Sequence, residues 1–259
     1  MNHKKSWITS AHRGFVDGTL KENSLAAYYN AYLNGAEMIE TDARLTSDGV
    51  LIVNHDDTVR GFNDKGESVS YLVAVTTADV ICSVILSRDE KWGVQRVPTL
   101  KQVLNLAYHT GMQVNIDLKN SYVIAKVVAN LVLRCGMQGK VVYALNGCGM
   151  DGIKLIMSID PDARFIDRGL DFAMAVRDFA ERGKRCFCYT SDTSPNNIEA
   201  IRSYGCLLAL ISLDDSNFEK SIECHPDMCE YLHTSDFKSI EEKYLANTLD
   251  TLYKQEEMK

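Results

Sequence analysis

The segments AHRG at 11–14 and IETDARLTSDGVLIVNHDD at 39–57 place two histidines, an arginine and two carboxylates near the ends of short apolar runs. Imidazoles titrate near neutral pH and act as general acids and bases. Paired carboxylates hold hard divalent cations, and an arginine forks onto phosphate oxygens. Together these residue types form the inventory for metal-assisted attack on a phosphate, which favours an enzyme over a bare α/β domain with no chemistry of its own.

The spacing sharpens this. Side chains alternate along a strand, so Glu40 and Asp42 of MIETD share one face, about 7 Å apart. Two acids on an inward face repel, and a divalent cation lets both stay ionised; hard oxygen ligands select Mg²⁺ or Ca²⁺ over zinc. The competing readings are that the pair lies on a solvated outer face, or that Arg44, in the same i, i+2 row, neutralises it. Met38 and Ile39 occupy both faces and leave the choice open. NIDLK repeats the device, with Asp117 and Lys119 on one face and Ile116 and Leu118 on the other. Asp117 is a candidate third metal oxygen and Lys119 a point charge for a non-bridging phosphate oxygen, against the alternative of an internal Asp–Lys pair. His12 and His55 end separate strands and are the candidate acid–base pair. Arg13 follows His12 directly and reaches the same site only if the strand has ended, a bend that Gly14 eases. Asp56 either orients His55 or caps the following turn.

These residues need strands to carry them. The chain alternates short apolar runs with amphipathic stretches, the signature of repeated βα units around a parallel sheet. Strands are expected at 7–12, 36–42, 50–55, 112–119, 140–146, 163–167, 186–191, 206–213 and 229–235. That is nine candidates for an eight-stranded barrel, and the run at 186–191 or 163–167 is the one expected to be peripheral. Helices are expected at 23–33, 100–109, 122–135, 151–158, 170–182, 196–204 and from 240 onward, with Ser24 or Asn23 and Pro98-Thr99 as start signals and Gly111, Gly136, Gly183 and Gly205 near ends. Only SDG separates RLT at 44–46 from VLIVNH at 50–55, too little for a crossover helix, so the chain turns tightly there. Residues 57–98 are polar, lack clean strand signals and read as an insertion or lid over one mouth of the barrel.

Composition bounds the possibilities. With 259 residues and 46% hydrophobic content the chain can bury a large core, and a single domain over 1–259 is expected. Lys and Arg total 28 against 35 Asp and Glu, a net charge of −7, which argues against a nucleic-acid partner. The opening MNHKKSWIT has no apolar core of a secretion signal, and the apolar stretch at 122–133 is broken by Lys126 and Asn130, so a membrane span is not expected. Eight cysteines in a chain of this length fit reduced thiols in a cytoplasm. Cys186 with Cys188, or Cys224, His225, Cys229 and His233, match no zinc spacing, and buried inert thiols are preferred. A zinc amidohydrolase on a similar barrel would want an H-x-H strand, which His3, His109, His225 and His233 do not supply.

Taken in order, HRG, ENS at 22–24, ETD, TSDG, NHDD, VPTL at 97–100 and IDLK resemble the glycerophosphodiester phosphodiesterase family, a branch of the phosphatidylinositol phospholipase C-like barrels. The resemblance runs over residues 7–119. It implies a (β/α)8 TIM barrel, here with a small insertion after the third strand, and divalent-metal-dependent cleavage of a small phosphodiester to glycerol 3-phosphate and an alcohol. It carries metal binding onto Glu40 and Asp42, acid–base duty onto His12 and His55, and phosphate contact onto Arg13. The family usually has a glutamate where this chain has Asp117, followed two residues later by a lysine matching Lys119. Sphingomyelinase D toxins, which are similar, carry Asp-Leu-Lys there and release a cyclic phosphate, so an intramolecular lyase stands beside hydrolysis as an alternative, as does a barrel that binds phosphate esters without turnover. The C-terminal half departs from the family pattern: LALISLDD at 208–215 replaces a tryptophan-bearing strand. Which histidine is base, which metal is bound, the alcohol group and the oligomeric state are not fixed by the sequence.

Overall fold

The computed structural model describes residues 8–119, 121–180, 186–190, 194–212 and 231–234. Eight parallel strands carry the architecture: β1 (Ile8–Ala11), β2 (Met38–Leu45), β8 (Gln113–Leu118), β9 (Val141–Ala144), β10 (Arg164–Arg168), β11 (Cys186–Thr190), β12 (Leu207–Ser212) and β13 (Tyr231–Thr234). Each pairs with the next, and β1 pairs with both β13 and β2, so the sheet closes on itself. A closed ring of parallel strands is the core of the (β/α)8 barrel.

Strand periodicity sorts the side chains into two cores. One set of alternate positions points inward, where Met38, Val142, Ile166, Phe187, Tyr189 and Ala209 pack together. The other set, including Ile39, Val114, Ile116, Tyr143 and Phe165, points outward under the helices. Those helices are α1 (Leu25–Leu33), α3 (Leu100–Thr110), α4 (Ser121–Arg134), α5 (Gly149–Met157), α6 (Gly169–Ala180) and α7 (Pro195–Ser203). Their ends follow the sequence signals. Ser24 caps α1 by accepting the Ala27 N–H, Thr99 and Gln102 form a reciprocal capping box on α3, and Gly111 closes α3 with φ of 79°. Gly183 and the helix expected from 240 onward lie outside the described residues.

Two expectations need correction. All nine predicted runs hold strands, but the one outside the barrel ring is β3 (Leu51–Val53), which pairs antiparallel with β2; the runs at 163–167 and 186–191 are full barrel members. The short SDG connection is the reason, because a strand that returns after a tight turn must run antiparallel. The insertion also has more structure than its polarity suggested. It contains β4 (Thr58–Phe62), β5 (Ser68–Leu72), β6 (Ile85–Asp89) and β7 (Gly93–Arg96), joined as a four-stranded sheet in the order β5-β4-β6-β7, with α2 (Ala78–Ser83) between β5 and β6. Val59, Val73, Ile81, Val84 and Val97 form its small core, to which β3 contributes Ile52. This sheet leans on the barrel's flank as well as its rim: Gln95 Oε1 accepts the Ala26 N–H at the start of α1, and the Trp92 ring meets Tyr29 edge-on.

Candidate active site

The strand ends converge as the sequence requires. Glu40 sits beside Asn115 and Asp42 beside Asp117 in the parallel register of β2 and β8, so four polar side chains form two inward layers at the C-terminal end of the barrel. Beyond β1 the chain leaves the sheet at once. Arg13 has φ of 55° and Gly14 of 92°, a turn that lets His12 and Arg13 both line the cleft. Gly14 is required for a second reason, since a Cβ there would lie 2.8 Å from the backbone carbon of Ala27 in α1. His55 follows β3, and Lys119 follows β8. All seven predicted site residues, His12, Arg13, Glu40, Asp42, His55, Asp117 and Lys119, therefore line one cleft of about 250 Å³.

Its electrostatics centre on the acids. Asp42 is 1% exposed and Glu40 4%. Asp42 Oδ2 accepts from Asn23 Nδ2 at 2.8 Å and lies 3.2 Å from Arg13 Nε, while Oδ1 lies 3.0 Å from Lys119 Nζ. Glu40 Oε2 accepts the Arg13 backbone N–H at 3.0 Å. Asp117 Oδ2 accepts from Lys119 Nζ at 2.6 Å, and Asn146, just past β9, donates to its other oxygen. Burial, then the charges of Asp42 and Asp117, raise the Glu40 pKa well above the ordinary carboxylate range. Burial also raises Asp117, against the pull of the Lys119 hydrogen bond. Burial opposes the Lys119 ammonium, yet Asp42 and Asp117 outweigh it and raise its pKa.

Each of Glu40, Asp42 and Asp117 offers an oxygen within 4.8 Å of the others, and among the described residues theirs is the one such metal-capable group. If all three carboxylates are ionised they outnumber the two cations, Arg13 and Lys119, and the raised Glu40 pKa reflects burial together with that excess of negative charge. A divalent cation fits that deficit and this all-oxygen donor set. Neither alternative for the acidic pair holds. Both acids are buried, and Arg44 turns its guanidinium onto the carbonyls of Asn54 and His55.

The histidines differ in setting. Burial first, then the neighbouring Arg13 charge, lowers His12 to about 4, leaving it neutral at physiological pH. His55 has a side chain 41% exposed, with Nδ1 2.9 Å from Asp56 Oδ1. Asp56 thus orients its neighbour, and its carboxylate is held below the ordinary range by that contact. Glu22 plays the same part for Arg13, accepting from Nη1 at 2.9 Å. Three non-glycine residues have positive φ among the described residues, namely Arg13, Asn23 and Asn146, and all three touch the site carboxylates. Left-handed backbone at non-glycine residues is common at functional sites, and here all three such residues surround the candidate site.

The sequence reading missed five polar cleft residues, Asn115, Asn146, Asp167, Arg168 and Tyr189. Period two already put Asn115 in the row of Asp117 and Lys119, and Asn-Gly at 146–147 was a visible strand-end turn. Tyr189, whose hydroxyl is 3.0 Å from Asn115 Nδ2 across the barrel, gave no signal beyond its place in an apolar run.

A sequence model of the Glycerophosphoryl diester phosphodiesterase family matches residues 12–163, more than half of the chain and every residue of this cleft up to β9. The chain belongs to that family. A Caldanaerobacter subterraneus subsp. tengcongensis glycerophosphodiester phosphodiesterase is 32% identical over 155 residues, 59% of this chain and 58% of that protein. The matched stretch spans about half the length of the curated relatives. Family members of solved structure share the fold over most of their length. A glycerophosphodiester phosphodiesterase from Agrobacterium tumefaciens superimposes with a TM-score of 0.69 at 24% identity, covering 88% of this chain and 96% of that one. An Oleispira antarctica phosphodiesterase, solved in complex with the product sn-glycerol-3-phosphate, gives 0.71 at 16% identity, covering 91% and 95%. No helix among the described residues of this family member is long and apolar enough to cross a membrane. The group Cys224, His225, Cys229 and His233 includes no side chain among the described residues, while Cys186 and Cys188 are buried thiols raised by burial to about 12 and about 11.

Proposed function

We propose that this chain is a divalent-cation-dependent phosphodiesterase that hydrolyses glycerophosphodiesters to glycerol 3-phosphate and an alcohol. The observation that carries the reading is the convergence of three carboxylates, two histidines and two cations in one cleft at the barrel's C-terminal mouth. Glu40, Asp42 and Asp117 would hold the cation, Mg²⁺ or Ca²⁺, which when bound supplies Lewis acidity to the phosphoryl oxygens. Arg13 and Lys119 bind the non-bridging oxygens and stabilise the charge that grows on them. His12, kept neutral by burial, takes the proton of the attacking glycerol 2-hydroxyl of the substrate as its oxygen bonds to phosphorus. His55, oriented through Nδ1 by Asp56, gives a proton to the departing alcohol as the phosphorus–oxygen bond breaks. After the alcohol has left, water adds to the cyclic ester and opens it to glycerol 3-phosphate. The bound product of the Oleispira antarctica neighbour supports glycerol 3-phosphate as product here. The six described cysteines are free, which favours a reducing compartment such as the cytoplasm.

The test incubates the protein with glycerophosphocholine and related diesters in Mg²⁺, Ca²⁺ or EDTA and follows glycerol 3-phosphate. Absence of cation-dependent product from every diester would overturn the assignment in favour of a phosphate-ester-binding barrel. A cyclic phosphate as the final ³¹P signal would make the enzyme a lyase.

A second reading concerns the substrate's tail. A largely charged trough lined by Arg44, Asp56, Asp57, Arg60, Leu72 and Ala74 shares His55 and Lys119 with the cleft. It shares Arg44, Asp57 and Ala74 with a neighbouring stretch that adds the apolar Leu45, Val73, Val123 and Ile124 beside Thr46 and Ser47. Its continuity with the cleft favours a diester that carries a hydrocarbon chain. Comparing kcat/KM for acylated and deacylated glycerophosphodiesters separates the two readings.

A further inference from the structure

Arg44 continues the inward row of Glu40 and Asp42 yet makes no ion pair with either among the described residues. Its Nε donates to the carbonyl oxygens of Asn54 and His55, both at 3.1 Å, and its Nη2 to the His55 carbonyl at 2.6 Å. The guanidinium is half-buried, and burial lowers its pKa from the ordinary value. A half-buried arginine that spends its donors on two consecutive carbonyls fixes a backbone rather than a charge.

The backbone it fixes is the one that needs help. The His55 ring is 41% exposed, so packing alone does not hold it. Asp56 Oδ1 meets the ring at Nδ1. The backbone ties nearby are the Asn54 N–H to the Asp42 carbonyl at 3.0 Å, Asn54 Nδ2 to the carbonyls of Asp56 and Thr58 at 2.8 and 3.3 Å, and the Val73 N–H to the Asp57 carbonyl at 2.9 Å. None of these reaches the His55 peptide itself. We infer that Arg44 is a positioning residue for His55, clamping its carbonyl so that the imidazole meets the leaving oxygen at a fixed place over the cleft. The inference rests on the assignment of His55 to acid–base duty. Misplacing a reacting group by about 1 Å costs on the order of 100-fold in rate.

The test is a double-mutant cycle on the full chain with Arg44→Met, His55→Ala and the pair, alongside Arg44→Lys. Arg44→Met is expected to lower kcat roughly 10- to 100-fold with KM and cation affinity, measured by calorimetry, within about threefold of wild type. In the His55→Ala background the same change is expected to cost nothing further, and Arg44→Lys, whose ammonium still reaches the carbonyls, is expected to recover part of the rate. Additive losses, a fall confined to KM, or weakened cation binding would each overturn the proposal. The His55 Hε1 resonance supplies a readout independent of turnover. It is expected to be single in wild type and shifted or broadened in Arg44→Met. An unchanged resonance sinks the proposal even if the protein cleaves no diester, whereas a moved resonance in an inactive protein sustains it while refuting the assigned activity.

Discussion

At the scale of the residue, the two histidines divide one task through opposite environments. His12 is lowered to about 4 by burial and the adjacent arginine, while His55 stands at the rim with a carboxylate on Nδ1. Proton transfer by a positioned side chain contributes about 10²- to 10⁴-fold, so His12→Ala and His55→Ala are each expected to lose that much in kcat, with phosphate binding retained through Arg13 and Lys119. Asp56→Asn leaves the imidazole in place but removes its anionic partner, and a loss on the order of 10-fold is expected. Steady-state rates on one diester, paired with calorimetric binding of glycerol 3-phosphate, check all three. Retention of more than half the wild-type kcat by either alanine variant would remove that histidine from the mechanism. The types and spacing of these residues were legible in the sequence because strand alternation and strand ends are local properties. Their partners were harder to see. Asn23, 19 residues from Asp42 in sequence, and Asn146, 29 from Asp117, reach the acids through tertiary closure of the barrel.

At the scale of the element, the tight turn between β2 and β3 joins the barrel to the insertion. Asp48 Oδ1 lies 2.6 Å from the Thr46 hydroxyl and accepts the Ala78 N–H at the start of α2 at 3.0 Å. These contacts, the hydroxyl foremost, hold the Asp48 carboxylate below its ordinary pKa. A depressed folded-state value means that this stabilisation is complete above the unfolded carboxylate pKa of about 3.9 and is lost as pH falls through the lower folded value. Wild type is therefore expected to unfold at a higher urea midpoint than Asp48→Asn at pH 7 and pH 5, with the gap closing between about pH 4 and pH 2. A gap of the same size at pH 7 and pH 2 would show that the carboxylate's charge is irrelevant. The same turn explains where the sequence misled. Periodicity located nine strand runs correctly, but direction depends on connection length, and the three-residue SDG link puts β3 outside the ring while β10 and β11 stay in it. The insertion strands were hidden for a different reason. A four-stranded sheet with so small a core buries few positions; in TVRGF of β4, Val59 alone is fully buried, so the alternation has little to register.

At the scale of the whole molecule, the acidic cluster sets stability against function. Placing three carboxylates against two cations at the barrel mouth leaves uncompensated charge where burial already raises Glu40. Without a cation this is costly, whether Glu40 stays charged without a full partner or holds a proton against its ordinary pKa. With one, binding to the folded state alone adds about 2.7 kcal/mol at a hundred times the dissociation constant, on the order of 5–10 °C in melting temperature for a chain of this size. Glu40→Gln keeps the shape and the Arg13 N–H contact while removing one charge. Its expected behaviour is a crossing: in EDTA it melts at or above wild type, and in saturating Mg²⁺ or Ca²⁺ wild type rises past it because the variant has lost a ligand. Calorimetric melts of both proteins with and without cation decide the matter. A wild type that melts at the same temperature in EDTA and in cation, or a variant that gains as much as wild type, would remove the cation from the cleft and leave the three carboxylates without a purpose that their burial can explain.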